Sequence, residues 1–477
     1  MSRKDLNVDI AVVGAGSGGL SVASGVAQLG LKVALFERGE MGGDCLNYGC
    51  VPSKALIAAG ERAHVVRTAS KLGVTSAPPR VDWPAVRAHI RQVIDTIAPI
   101  DSQERFEGLG VTVVREHARF ADPRTLESDS VRVRARRIVL ATGARALVPN
   151  IPGLADTPHL TNETVFDLLE FPTRLIVLGA GPIGVELGQA FRRLGAEVVI
   201  VEAAIPLAGF DREAAGVALA SLRADGVDLR EGARAVSVSG AAGAVRVEIE
   251  TKTGRETLDG SHLLVAIGRK VAVDGLDCEK GNVAFTPKGI TVDPWLRSTT
   301  NRRVWAVGDV AGREQLTHVA GWHASAFVRS VLFKARTRAD SAPIPSAVYC
   351  DPELARIGLS EEAARAGHGD KVKSVTATFH DNDRAQAEGE TAGFARLVVG
   401  PGAKILGATV VGKGAGDLIQ IVGLAMSSKL GLRALTGLVA PYPTRGEIVK
   451  RAAGSFYTPL LFSPGTRRLV GLLKRLP

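Results

Sequence analysis

The chain has 477 residues, 45% of them hydrophobic, with 59 Lys and Arg against 49 Asp and Glu and a net charge of +10. That length and apolar content exclude a disordered or single-core chain and predict two to four domains of ~100 to 200 residues each. The positive surplus is spread out and not gathered into an arm, which argues against nucleic acid as a partner and suits anionic cofactors. No apolar run reaches the ~18 residues of a membrane span, and Met1 to Asp9 carry no signal-peptide core, so a cytoplasmic protein is expected.

Asp9 to Val13 reads as a buried strand that runs into Gly14-Ala-Gly16-Ser-Gly-Gly19, then a helix over Leu20 to Leu29 and a strand over Lys32 to Phe36 that ends at Glu37. This order is the dinucleotide-binding fingerprint. The glycines allow a tight turn and close approach to pyrophosphate, the helix N-terminus meets the phosphates, and the acid meets a ribose hydroxyl. A coincidental glycine turn would lack the flanking elements.

Gly42 to Lys54 follows, with two of the four cysteines, Cys45 and Cys50. In a regular helix they would rise about 7.5 Å apart, so a bridge between them needs an irregular turn, which Asn47, Gly49 and Pro52 can supply. Pro52 suits a first helical turn, whose positive end lowers a thiol pKa, and Lys54 adds a cation. A redox-active pair is the favoured reading. A structural disulfide would be unusual in a reducing compartment, and a zinc site needs about four ligands, so no resident metal is expected.

This run, GGxCxNxGCVPSK, resembles the active-site signature of the FAD-dependent pyridine nucleotide-disulfide oxidoreductases, the family of dihydrolipoyl dehydrogenase, glutathione reductase and mercuric reductase. The resemblance places Gly43, Asp44 and Lys54 beside FAD. Asp44 stands where the family usually has Thr.

Farther on, Arg80 to Gly110 has helical spacing and precedes a strand over Val111 to Val114. The resemblance implies a backbone contact from Ala118 to the adenine end of the flavin. Arg137 to Ala141 reads as a strand ending in Thr142-Gly143, similar to the family's ATG motif near the flavin.

The fingerprint then returns as Arg174 to Leu178, Gly179-Ala-Gly181-Pro-Ile-Gly184, a helix to Leu194, and a strand ending at Glu202. Both copies span 23 positions from first glycine to acid, Gly14 to Glu37 and Gly179 to Glu202. Since the cysteines follow the first copy, that copy is expected to hold FAD and the second NAD(H). Glu202 would repel a 2′-phosphate, and Ala203 to Phe210 contain no Lys or Arg to neutralise one, which favours NADH over NADPH. By resemblance Glu186 pairs with Lys54; a solvated helix residue is the plain alternative.

Leu263 to Arg269 resembles the strand and turn, with Gly268, that end the nicotinamide domain. Val304 to Asp309 resembles the strand whose terminal Asp binds the ribityl chain, although Asp309 taken alone could be a helix cap. Thr317-His318 matches a segment whose backbone lies along the isoalloxazine. Cys278 and Cys350 read as packing residues. Alternating strands with intervening helices from about Ala347 resemble the dimerisation domain, and Pro441 to Glu447 resembles His-Pro-Thr-x-x-Glu with Tyr442 in place of His.

These readings predict an α/β protein with two Rossmann-like domains and a C-terminal α+β dimerisation domain. The boundaries are 1–150 and 273–345 for FAD, 151–272 for NAD and 346–477 for dimerisation. The expected activity carries electrons from NADH through FAD to Cys45/Cys50 and on to a disulfide or metal-ion acceptor. Tyr442 and Glu447 would approach Cys45 of the other subunit of a homodimer. The motifs look most like mercuric reductases, yet these 477 residues hold no vicinal Cys-Cys pair. A dihydrolipoyl dehydrogenase is the first alternative and a non-catalytic FAD-binding redox sensor the second. The tail from Ser463 to Pro477 interleaves Leu469, Val470, Leu472, Leu473 and Leu476 with basic residues, which suits either packing on its own domain or weak contact with an anionic membrane surface.

Overall fold

The structure, a computed structural model, describes residues 3–474. The chain forms two compact units, one from residues up to 63, 80–203 and 230–341, the other from 64–79, 204–229 and 342 onward.

In the first unit, strand β1 (Lys4–Val13) lies between β2 (Val33–Phe36) and the strand Val131–Leu140, parallel to both. Ile10, Ala11 and Val12 are fully buried there, as an unbroken apolar run inside a parallel sheet must be. β1 starts five residues before the expected Asp9, because the alternating Lys4 to Val8 pair with Val131 to Ala135. Val111–Val114 extends the sheet beyond β2. A hairpin, Arg119–Asp122 and Thr125–Glu127, covers the start of Val131–Leu140, while the end of the same strand pairs in parallel with Val304–Ala306. One strand thus receives a neighbouring hairpin and a remote piece of chain along one edge.

Helix α1 (Ser17–Ala27) also begins earlier than expected, with Gly18 and Gly19 inside its first turn. A side-chain carbon on Gly19 would lie 1.8 Å from the Gly14 carbonyl oxygen, so only glycine lets the helix pack this close to the strand it leaves. The second fingerprint repeats the device, with Gly184 against the Gly179 carbonyl. There Arg174–Leu178 lies between Glu197–Glu202 and His262–Val265 in parallel register, beside an antiparallel sheet of Arg234–Ala241, Ala244–Thr251 and Gly254–Gly260. The expected helix over 80–110 is two helices, Trp83–Asp101 and Gln103–Gly108, because Ser102 is extended and caps the second.

The second unit is built on an antiparallel sheet in the order Pro345–Val348, Leu354–Gly358, Lys404–Val411, Phe394–Gly400, Lys373–Thr378. Helices Ala415–Ser427 and Glu447–Leu461 contribute Leu418, Ile419, Val422, Ile448, Val449 and Ala452 to its core. The two Rossmann-like sheets and this α+β unit are the expected fold class.

Behind the turn that follows Val304–Ala306, His323 is 1% exposed, and its Nδ1 accepts the Gly308 N–H at 3.2 Å. Burial, with a smaller push from Arg313, lowers its pKa to about 4. Between about 6.5 and 4 the unfolded chain therefore binds a proton that the folded chain refuses, so stability is full above pH 6.5 and falls as the pH drops through this window. The loss should approach ~3 kcal/mol. His323→Asn can keep the Gly308 bond and should flatten the pH dependence of the thermal midpoint between pH 6.5 and 4; an unchanged slope would assign the acid sensitivity elsewhere.

Candidate active site

The two cysteines sit on successive short pieces of helix. Helix α2 (Gly43–Asn47) carries Cys45, Tyr48 and Gly49 break it, and α3 (Cys50–Thr68) starts at Cys50. This is the irregular step that the spacing requires, with Pro52 in the first turn of α3. Asn47 Nδ2 ties the step down by donating to the Met41 and Gly43 carbonyls at 3.0 and 2.9 Å. The loop rests on the first fingerprint: Gly42 N–H donates to the Ala15 carbonyl at 2.9 Å, and Gly43, at φ 60°, lies so close that a side chain on it would come 2.7 Å from the Gly16 Cα.

Cys45 and Cys50 are thiols whose sulfurs share a hydrogen bond. That bond is the main influence drawing Cys50 down to about 6, helped by the Thr317 hydroxyl, 3.2 Å from its sulfur, and by the charge of Lys54. Burial and the charge of Asp44 oppose them. Cys45 is pushed far up, first by the same shared bond, then by burial and by the charge of Cys50. At neutral pH the reduced pair thus holds one negative charge, on Cys50 at the positive end of α3.

Lys54 Nζ lies 2.8 Å from Glu186 Oε2, with the Glu186 side chain only 8% exposed. The acids of the two fingerprints bind in the same way. Glu37 Oε2 accepts the Ala15 N–H at 2.6 Å, and Glu202 Oε2 accepts the Ala180 N–H at 2.7 Å. Each acid fastens its own glycine turn, a task that the sequence reading did not assign. Gly16 and Gly181 occupy the cap positions of α1 and of helix Pro182–Leu194, where no cap side chain bonds the first-turn N–H groups. These are cradles for diphosphates, and the residues present fit the two dinucleotides.

Thr142 donates to the Ala272 carbonyl at 2.6 Å, next to Gly143, and Ala118 is buried. Thr317 and His318 open the helix Thr317–Val331. Two expected positions differ in detail. Asp309 is one residue into a helical turn, Gly308–Ala311, and Gly268 is followed by a separate strand, Arg269–Val271, that pairs with Ala144–Ala146.

That strand brings in side chains which sequence reasoning missed. Arg269 Nη1 lies 3.1 Å from Asp44 Oδ2, and its Nε 3.8 Å from Asp309 Oδ2. Asn162, which is buried, donates to Asp44 Oδ1 at 3.0 Å. The one available signal was Asp44 itself, an acid at a threonine position that calls for a cation.

In the second unit, Tyr442 is 70% exposed and its hydroxyl donates to Asp383 at 2.7 Å, which raises its pKa. Glu447 opens the helix Glu447–Leu461, and its Oε2 accepts the Thr444 N–H at 3.4 Å. Among the described residues no helix is long and apolar enough to cross a membrane.

Comparison with known proteins agrees over both units. Residues 8–324 match the family model of the pyridine nucleotide-disulphide oxidoreductases, and residues 344–453 that family's dimerisation domain. The chain is 35% identical to a mercuric reductase of Shigella flexneri over 94% of its length and 80% of the relative's. It is 30% identical to a dihydrolipoyl dehydrogenase of Staphylococcus aureus over 94% and 96% of the two chains. The HOCl-induced flavoprotein disulfide reductase RclA from Escherichia coli superposes with a TM-score of 0.83 at 26% identity, over 94% of this chain and 99% of that one. The chain therefore belongs to the pyridine nucleotide-disulphide oxidoreductases, as an FAD-dependent enzyme that uses a pyridine nucleotide and a redox-active cysteine pair and carries the family's dimerisation domain.

Proposed function

We propose that the enzyme oxidises NADH and delivers the electron pair through Cys45/Cys50 to a small acceptor that demands no proton shuttle, a soft metal ion such as mercuric ion being the best fit. FAD, when bound between the nicotinamide and the cysteines, supplies the carrier for that electron pair. For mercuric ion the balance is NADH plus Hg²⁺ giving NAD⁺, H⁺ and Hg⁰. Cys45 meets the acceptor, Cys50 holds the negative charge beside Thr317 and Lys54, and Glu186 orients Lys54. The working unit is a homodimer in the cytoplasm, in which Tyr442 and Glu447 approach the partner's Cys45.

The observation that carries this choice is Tyr442. A histidine with its ordinary pKa near ~6.5 can take and return a thiol proton, whereas a tyrosine near ~10 that already donates to Asp383 stays protonated. General acid-base help is worth ~10² to 10⁴ in rate, and a disulfide acceptor needs it. NADH oxidation by the purified protein with mercuric ion, lipoamide, glutathione disulfide and quinones should show lipoamide as a weak acceptor, and Tyr442→His should raise lipoamide turnover at least about tenfold. Rapid lipoamide turnover by the unmodified enzyme would favour a dihydrolipoyl dehydrogenase. Flavin bleaching by NADH without turnover on any acceptor would favour a redox sensor.

NADH preference is supported by Glu202, whose carboxylate closes the second glycine turn without a nearby cation in Ala203 to Phe210. Flavin reduction by NADH should be at least about tenfold faster than by NADPH at equal concentration, and equal rates would remove this assignment.

The basic tail supports a weak peripheral contact with anionic lipid. Helix Pro464–Leu473 buries none of its residues, and Leu469, Val470, Leu472 and Leu473 are each more than half exposed, with Arg467 and Arg468 beside them. Arg475 and Leu476 lie outside the described residues. Sedimentation with phosphatidylserine vesicles should carry down more of the full chain than of a chain ending at Phe462, and equal partitioning would exclude the contact.

A further inference from the structure

Asp44 is the one residue of the redox loop that departs from the family signature, and it is held on two sides. Arg269 Nη1 approaches its Oδ2 at 3.1 Å, and Asn162 donates to its Oδ1 at 3.0 Å. Arg269 is itself fixed, because its Nη2 donates to the Ala144 carbonyl at 2.8 Å while its Nε faces Asp309. The three charged side chains are only 15–32% exposed, so solvent screens them weakly. Asp44 also lies against the step between the cysteines: a side-chain carbon on Gly49 would be 3.1 Å from its Oδ2.

Four groups face the Cys50 sulfur from three helices: Cys45 and Asp44 on α2, Lys54 on α3 and Thr317 at the start of its own helix. Among them Asp44 is the anion, and Arg269 is the cation placed on that anion.

We propose that Asp44 and Arg269 act as a balanced pair that sets the reduction equilibrium of Cys45/Cys50, Asp44 disfavouring the Cys50 thiolate and Arg269 cancelling most of that effect. Arg269 is a positioning residue in this scheme. It holds the Asp44 carboxylate and at the same time opposes burial and the charge of Asp44, which together raise the pKa of Asp309. The proposal rests on Cys45/Cys50 being the redox pair.

The test is equilibration of the FAD-loaded protein with glutathione, in which the protein disulfide and two glutathione thiols exchange with the dithiol and glutathione disulfide. Asp44→Asn keeps the side-chain shape and removes the anion, so it should move the equilibrium toward dithiol by about threefold or more. Arg269→Gln leaves the anion uncompensated and should move it toward disulfide by a similar factor. The double variant should return to within about twofold of the unmodified protein. Reduction takes up two protons below the Cys50 pKa and one above it. The pH of that change should accordingly fall in Asp44→Asn and rise in Arg269→Gln.

Opposite shifts that cancel in the double variant support the proposal; shifts in one direction, or none, overturn it and leave the pair a structural clamp. If Arg269→Gln fails to fold or to hold FAD, Arg269→Lys takes its place and should stay near the unmodified equilibrium while Asp44→Asn still shifts. If the unmodified protein forms no Cys45–Cys50 disulfide under any glutathione ratio, the redox reading itself falls, an outcome separate from the failure of the balanced pair.

Discussion

The site depends on a backbone-to-backbone contact between two glycine turns. The first fingerprint presents Gly16 at the start of α1, and the redox loop places Gly43 directly upon it, with Gly42 bonded to the Ala15 carbonyl. A side chain on Gly43 would force the two loops apart. Main-chain contact thereby sets how near the cradle for diphosphate comes to the cysteine loop. Asn47 and Glu37 fasten that frame, and the charged side chains adjust its electrostatics.

On that frame the two sulfurs have unequal environments. Cys50 has a helix N-terminus, the Thr317 hydroxyl and Lys54 on its side, and it receives the hydrogen bond from Cys45. For Cys45 the shared bond, burial and the charge of Cys50 outweigh the help of the Thr317 and Ser17 hydroxyls, and its pKa is pushed up. One charge shared unequally by two thiols gives a nucleophile that is protonated until it acts, next to a thiolate that can hold an electron pair.

The parts of this arrangement that were legible in the sequence are those made by neighbours in the chain. Glycine spacing, a strand before and after it and the acid at the second strand's end are local, and the elements came out within a few residues. The early start of α1 was missed because Gly18 and Gly19 look like loop until the contacts of Gly18 with Val307 and Ala320 and of Gly19 with Gly14 and Ala141 are known. Lys4 to Val8 looked polar because only their pairing with Val131 to Ala135 makes them strand. Arg269 and Asp44 are more than two hundred positions apart in the sequence, and no periodicity announces a pair at that distance. The Tyr442 bond to Asp383 was hidden for the same reason. The acids Glu37 and Glu202 were found as ligands for ribose, whereas their bonds to Ala15 and Ala180 also make them fasteners of the turns.

The divided edge of the strand Val131–Leu140 bears on how the chain is made. Its first half is paired by a hairpin available as soon as residue 127 has been added, but Ile138 to Leu140 wait for Val304 to Ala306. More than 160 further residues, including the whole second fingerprint, must leave the ribosome before that ladder can close. During synthesis the first sheet therefore carries an open, fully apolar parallel edge. The nascent chain is exposed to wrong pairing for as long as the inserted segment takes to emerge, and an insert that folds quickly by itself shortens that interval by bringing its two ends together.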